Sequence, residues 1–272
     1  MADSVTAARD TALVRPPGPH LAEGIVTHLR RRAVDVDVAR AQHRAYVAAL
    51  DAAGWAPVVI EPADEHPDAV FVEDTLVVVD DLAVVTRPGA PARRGETAGS
   101  AAAARALGLR VATLEPPGHL DGGDVLQVGR TVYVGRGGRT DDEGIRQLGT
   151  LLAAQGRTVV PVRLGPVLHL KSAATALPDG TVVGQRHLVD ADVFPAWHEV
   201  DEAAGSHVVP LGGDTLLMAA SAPRTASSLA RLGYDVVTVD IGEFEKLEGC
   251  VTCLSVLVPG RAAPRRTTDR VG

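Results

Sequence analysis

The only thiols in this 272-residue chain are Cys250 and Cys253, and both lie in EGCVTCLSVLVPG, residues 248–260. Cys253 opens an apolar run, Leu254 to Val258, which predicts a short buried strand ending at Pro259-Gly260. A thiol at a strand mouth can be a nucleophile, a metal ligand, half of a disulfide or plain core, because free cysteine is among the most buried residue types. The CxxC spacing also invites redox and zinc readings. A thioredoxin-like motif starts a helix, however, and structural zinc needs two further ligands at close spacing, which this stretch lacks. His169, in PVLHLKSAA, has apolar neighbours on both sides. It is either a satisfied core histidine or, with a cysteine nucleophile and an orienting carboxylate, an acid–base partner. His20, His28, His43, His66, His187, His198 and His207 fall in polar, loop or helical contexts and read as surface.

Carboxylates form the second group. In DAVFVEDTLVVV, residues 68–79, Asp68, Glu73 and Asp74 sit in or beside a segment otherwise rich in Val and Leu. A buried unpaired carboxylate costs several kcal/mol, so each needs a partner. That partner is an internal Arg or solvent, or else the three acids form a pocket for a planar cation; a guanidinium suits them because carboxylates bind its fork bidentately. HLDGGDVL places Asp121 and Asp124 on either side of two glycines, a pattern that turn chemistry also explains. Arg87, Arg93, Arg94 and Arg139 lie on loops that follow hairpins. They are solvated charge or, if they share a mouth with the acids, a clamp for a carboxylate.

The elements that must position these groups recur. Two short apolar runs joined by a turn, then a helix and a further strand, repeat at intervals of about 40–50 residues, a period that suggests a propeller or array. The helices are expected near 37–53, 94–107, 141–155 and 223–232. About five copies fit, the last pairing 253–258 with an N-terminal strand near Ala12–Arg15. A five-membered ring brings its hairpin starts to one axis, where Glu73-Asp74, Asp121, Asp124, His169, Asp214 and Cys253 are expected to meet. A doubly wound parallel sheet is disfavoured, because hairpins precede the helices and no glycine-rich phosphate loop is present.

Composition excludes other classes. A net charge of −7 leaves no electrostatic footprint for nucleic acid. No stretch approaches the ~20 apolar residues that span a membrane, and the acid-bearing N-terminus lacks a signal core, so a reducing cytoplasm is expected. Aromatics are 3%, so Val, Ala and Leu must fill the core.

Together PADEHPDAVFVED, VTRPGAPARRGET, LDGGDVL, VGRGGRT, VLHLKS, the 223–234 segment and KLEGCVTCLSVL resemble the dimethylarginine dimethylaminohydrolase family of the guanidino-modifying penteins, in matching order from about residue 12 to 258. The resemblance implies an α/β fold, a five-bladed pentein propeller of ββαβ modules, as one catalytic unit over residues 1–260; the composition of GRAAPRRTTDRVG predicts a disordered tail at 261–272. It implies hydrolysis of Nω-methylated arginines to citrulline and an amine through a covalent thiouronium. It puts the nucleophile at Cys253, the general acid–base at His169 and its orienting acid at Asp121. Glu73 and Asp74, with Asp68, would bind the guanidinium, Arg93 and Arg139 the α-carboxylate, Leu247 a backbone contact and Ile25 a lid contact. Cys250 is outside the catalytic set and reads as structural. No cofactor is implied beyond zinc as an inhibitory ligand at Cys253, and no partner beyond a methylated arginine and, at most, a second copy in a homodimer. The alternatives are a deiminase- or amidinotransferase-type pentein, or a non-catalytic pentein binding protein; the last would be expected to lack the Cys/His pair.

Overall fold

Val- and Leu-rich segments of four or so residues cannot form a sheet alone; they pair as hairpins, whose tips need residues that accept a left-handed backbone. A computed structural model, which describes residues 9–260, has five three-stranded sheets. In chain order, β1 (Thr11–Val14), α1 (Val36–Ala52) and β2 (Ala56–Val59) come first. The second blade holds β3 (Leu76–Val79), β4 (Leu82–Val85), α2 (Thr97–Ala106) and β5 (Arg110–Thr113). The third holds β6 (Val125–Val128), β7 (Thr131–Arg136), α3 (Asp142–Ala153) and β8 (Thr158–Arg163). A single helical turn, α4 (Leu170–Ala173), leads into β9 (Ala174–Ala176), β10 (Val182–Gly184) and β11 (Trp197–Glu199). The fifth set is β12 (Val208–Gly212), β13 (Thr215–Ala219), α5 (Pro223–Arg231) and β14 (Asp235–Val239). A turn, α6 (Gly242–Glu245), then precedes β15 (Val256–Val258).

Each blade pairs two strands antiparallel and adds a third parallel to the second. Asp80 (φ 54°) and Gly129 (φ 58°) take the left-handed position at the β3–β4 and β6–β7 tips. The first blade joins the two ends of the chain: β15 runs antiparallel to β1, Leu13 facing Val256, and β1 runs parallel to β2. The expected closure therefore holds, with β1 one residue earlier than read from sequence. The first strands β3, β6, β9, β12 and β15 all line one axial cavity of about 250 Å³. Five apolar clusters fill the blades and the seams between them; one joins Val77 and Val84 to Leu120, Val125 and Leu148. Aspartates cap the outer helices: the Asp35 side chain accepts from the N–H groups of Asp37 and Val38, and Asp141 from that of Gly144.

Three expectations change. The β9–β11 blade crosses over through a 3-10 turn, Ala191–Val193, and has no α-helix between its second and third strands. Asp214 is not at the axis; it is exposed at the β12–β13 tip, and buried Ser206 precedes β12 instead. His43 is not on the surface: α1 turns it inward, and burial pushes its pKa down to about 4. Among the described residues no helix is long and apolar enough to cross a membrane. The tail at 261–272 lies outside the described residues.

Candidate active site

The acids, His169 and Cys253 do not sit on strands. A tight turn precedes each first strand: Val72–Thr75, Gly122–Asp124, Leu170–Ala173, Ala203–Ser206 and Thr252–Leu254. The runs 71–79, 169–177 and 253–258 thus divide, the strand beginning only at Leu76, Ala174 and Val256. An i→i+3 turn brings successive side chains to one rim, where a strand would alternate them between faces. The turns at Val72–Thr75 and Thr252–Leu254 pack together, as do those at Val72–Thr75 and Gly122–Asp124.

Around this rim a cavity of about 20 Å³ is lined by Ile25, Asp68, Asp74, Arg93, Arg139, His169, Leu247 and Cys253, among others. His169 Nε2 is 3.0 Å from Asp121 Oδ2, and its Nδ1 is 3.7 Å from Asp74 Oδ1. Asp121 also accepts from the Gly89 N–H at 2.8 Å. The Asp121 N–H donates to Thr140 Oγ1, whose hydroxyl donates to Asp124 Oδ2 at 2.6 Å, and Asp124 accepts in turn from Leu170 N–H. Asp124 thereby anchors both His169's helical turn and the chain at Asp121. Gly122 and Gly123 are required by close approach, and neither has a positive φ. A Cβ at Gly122 would overlap the Glu73 carbonyl, and one at Gly123 would stand 2.6 Å from His169 Nδ1.

The acidic segment has an internal partner, Arg93: its guanidinium meets Asp74 at 2.5 Å, grips Glu96 through Nε and Nη2, and donates to the carbonyls of Asp68 and Phe71. With these donors engaged, Arg93 orients Asp74, and any hold on a substrate carboxylate competes with those bonds. Arg139 is less committed, with Nη2 3.4 Å from Thr27 Oγ1 and Nη1 3.7 Å from Asp121.

Electrostatics follow from this geometry. Burial would raise Asp74, but the charges of His169 and Arg93 hold it down at about 2. Burial would lower His169, but Asp74, the Asp121 hydrogen bond and Asp124 raise it to about 9, so the imidazolium is the resting form at neutral pH. The contact with Cys250, burial, and the negative charges of Glu73 and Asp74 raise Cys253, so they favour its protonated thiol.

Glu73 does not line the small cavity. It lines the axial cavity instead, with Oε1 2.6 Å from Lys171 Nζ and Oε2 accepting from Thr252 Oγ1 at 2.9 Å. Burial raises Glu73 to about 7 despite Lys171. Lys171 was legible only as one of two lysines in the chain. Lys171→Ala strands a buried carboxylate and is expected to cost about 3 kcal/mol at pH 8. The loss should shrink at pH 6, where Glu73 takes up a proton and the unpaired charge disappears; urea unfolding at the two pH values tests this.

Two carboxylates hold the 25–29 segment over the mouth. Asp68 accepts from Ile25 N–H through both oxygens, at 3.0 and 3.2 Å. Glu248 accepts from Thr27 N–H at 3.1 Å and Leu29 N–H at 2.7 Å, and also from His28 N–H. Glu248 adopts φ 62°, rare for a residue with a side chain, between cavity-lining Leu247 and Gly249. Sequence reasoning missed Glu248; no motif signals a carboxylate that binds a loop's backbone from more than two hundred positions away. Glu248→Ala is expected to raise KM about tenfold with kcat changed far less, as for the loss of about 1.4 kcal/mol of binding; steady-state kinetics measure the split.

Asp74, Asp121 and His169 bring three potential ligand atoms within 4.8 Å of one another. Cys253 is outside that group, and a metal would have to displace the proton that the carboxylates hold on His169.

No protein-family model matches the chain. It is 58% identical over 246 residues to N(G),N(G)-dimethylarginine dimethylaminohydrolase of Streptomyces coelicolor, covering 90% of this chain and 95% of that one. A solved dimethylarginine dimethylaminohydrolase with a histidine-to-glycine change, in an adduct with S-methyl-L-thiocitrulline, superposes with a TM-score of 0.87 at 32% identity over 92% of this chain and all of that one. A cysteine-to-serine variant of the Pseudomonas aeruginosa enzyme, complexed with citrulline, gives 0.85 at 31% identity over the same shares.

Proposed function

The chain belongs to the dimethylarginine dimethylaminohydrolase family, and we propose from that premise that it hydrolyses Nω-methylated arginines at the cavity beside Cys253. The observation that carries the reading is the convergence of one thiol, one carboxylate-held imidazolium, three acids and two arginines on a single cavity.

The substrate's guanidinium sits against Asp74, with Asp68 beside it and Glu73 behind, and Arg139 holds the α-carboxylate. Leu247 and Ile25 close over the aliphatic stem. The incoming cation offsets the negative field that kept the Cys253 thiol protonated, so the thiol releases its proton to solvent and the thiolate forms where it is needed. Cys253 Sγ attacks the guanidinium carbon. His169 gives its proton to the nitrogen that leaves as methylamine or dimethylamine, and a thiouronium on Cys253 remains. Neutral His169 then takes a proton from water, the hydroxide adds to the same carbon, the thiolate leaves and citrulline is released. No step calls for a cofactor. In this reading residues 1–260 work as one catalytic unit in the cytoplasm, as a monomer or homodimer.

The test is citrulline release from asymmetric dimethylarginine, monomethylarginine and arginine. Methylated substrates should turn over; turnover of arginine alone would make the protein a deiminase. The His169 proton also sets an alkaline limit, because kcat/KM should fall as pH rises through about 9. Asp121→Asn removes a negative charge that holds that proton, so the falling limb should move to lower pH; an unmoved limb would remove Asp121 from the role.

A further inference from the structure

Cys250 has no part in that chemistry, yet its Sγ lies 3.2 Å from Cys253 Sγ. The Cys250 N–H also points at Cys253 Sγ, at 3.4 Å. We propose that Cys250 and Cys253 form a redox modification site: a peroxide oxidises Cys253, and Cys250 resolves the product to an intrachain disulfide that withdraws the nucleophile.

The backbone is already arranged for this bond. The Cys253 N–H donates to the Cys250 carbonyl at 3.1 Å, closing a four-residue turn. Such turns hold their end Cα atoms within about 7 Å, overlapping the span of about 4.4–6.8 Å that disulfides bridge. The sulfurs need only close from 3.2 Å to the ~2.05 Å of the covalent bond, which side-chain rotation can supply. No other thiol competes, because these are the only two in the chain.

The order of events follows from access. Cys253 lines the substrate cavity at 5% exposure, whereas Cys250, in the same apolar cluster, is 1% exposed and is not part of the cavity lining. A peroxide entering by the substrate's route therefore meets Cys253 first. Cys253 Sγ attacks one peroxide oxygen; the S–O bond forms, the O–O bond breaks, and the departing oxygen leaves as water with the thiol proton. Cys250 Sγ then attacks the Cys253 sulfenic sulfur; the S–S bond forms, the S–O bond breaks, and a second water carries off the Cys250 proton. Two thiols lose two electrons and one peroxide becomes two waters. A dithiol reverses the change by exchange. Without a resolving thiol, excess peroxide drives a sulfenic acid on to sulfinic and sulfonic acids, which dithiols do not reduce.

The test treats the reduced wild type, Cys250→Ser and Cys250→Ala with excess hydrogen peroxide and then with dithiothreitol, each compared with its own starting activity. The wild type should lose activity together with two titratable thiols and the mass of two hydrogens, and a peptide map should place one disulfide within residues 248–260. Dithiothreitol should then restore its activity to within about twofold, whereas the variants should gain two or three oxygens on Cys253 and recover at least about tenfold less. Substrate bound beforehand should slow the oxidation. Wild type that gains oxygens without forming the disulfide, or variants that recover as fully as wild type, would overturn the proposal. Mass and thiol readouts need no substrate, so they stand even if methylarginine turnover fails.

Discussion

Cys253→Ser is expected to lower citrulline release at least about 10⁴-fold while leaving substrate affinity within about threefold. The size of the loss comes from His169. Held protonated by Asp74, Asp121 and Asp124, it is not available as a base for the attacking group. A thiol can ionise without that help once a cation lies beside it, because its ordinary pKa is only about 8.5. A serine hydroxyl cannot, and it would enter the same site as a spectator. Affinity should persist because Asp68, Asp74 and Arg139 are untouched. Single-turnover citrulline release and calorimetric titration separate the two quantities. Residual activity within a hundredfold of wild type would place the nucleophile elsewhere.

His169→Asn should cost about 10²–10⁴ in kcat, the range for losing a positioned acid–base group. The leaving amine would depart without a proton, and no group would remain to take one from water. A substrate analogue whose leaving group departs unprotonated separates those roles. It should still react with Cys253 and stop at a covalent adduct, visible in the intact mass. Failure of that adduct to form would mean that His169 serves chiefly to ionise the thiol. The same variant removes the cation that faces Asp74, Asp121 and Asp124; because His169 is raised from an ordinary value of about 6.5 to about 9, its contribution is fully present below about pH 6.5 and lost as pH rises through about 9, so the variant's stability deficit should be larger at pH 6 than at pH 9.5.

The sequence alone determined the repeat and the chemistry-bearing residues. Period-two apolar runs separated by turn residues and helices are local signals, and so are a thiol, a histidine or an acid placed among apolar neighbours. Hence the five blades, the closure of β15 on β1 and the gathering of Cys253, His169, Asp121 and Asp74 were legible before any coordinates. What the runs could not reveal is where each strand begins, because a 3-10 turn of Val, Thr and Leu has the same composition as the strand that follows it. Asp214 was misplaced for a related reason: an Asp after Gly-Gly reads alike at a hairpin tip and at the axis, and only the register of β12 on β13 separates the two. Tertiary structure also decided the partners. Arg93 on Asp74, Lys171 on Glu73 and Glu248 on the 25–29 backbone each join residues brought together by packing. A buried charge must find a counter-charge or a donor, but the sequence does not say which.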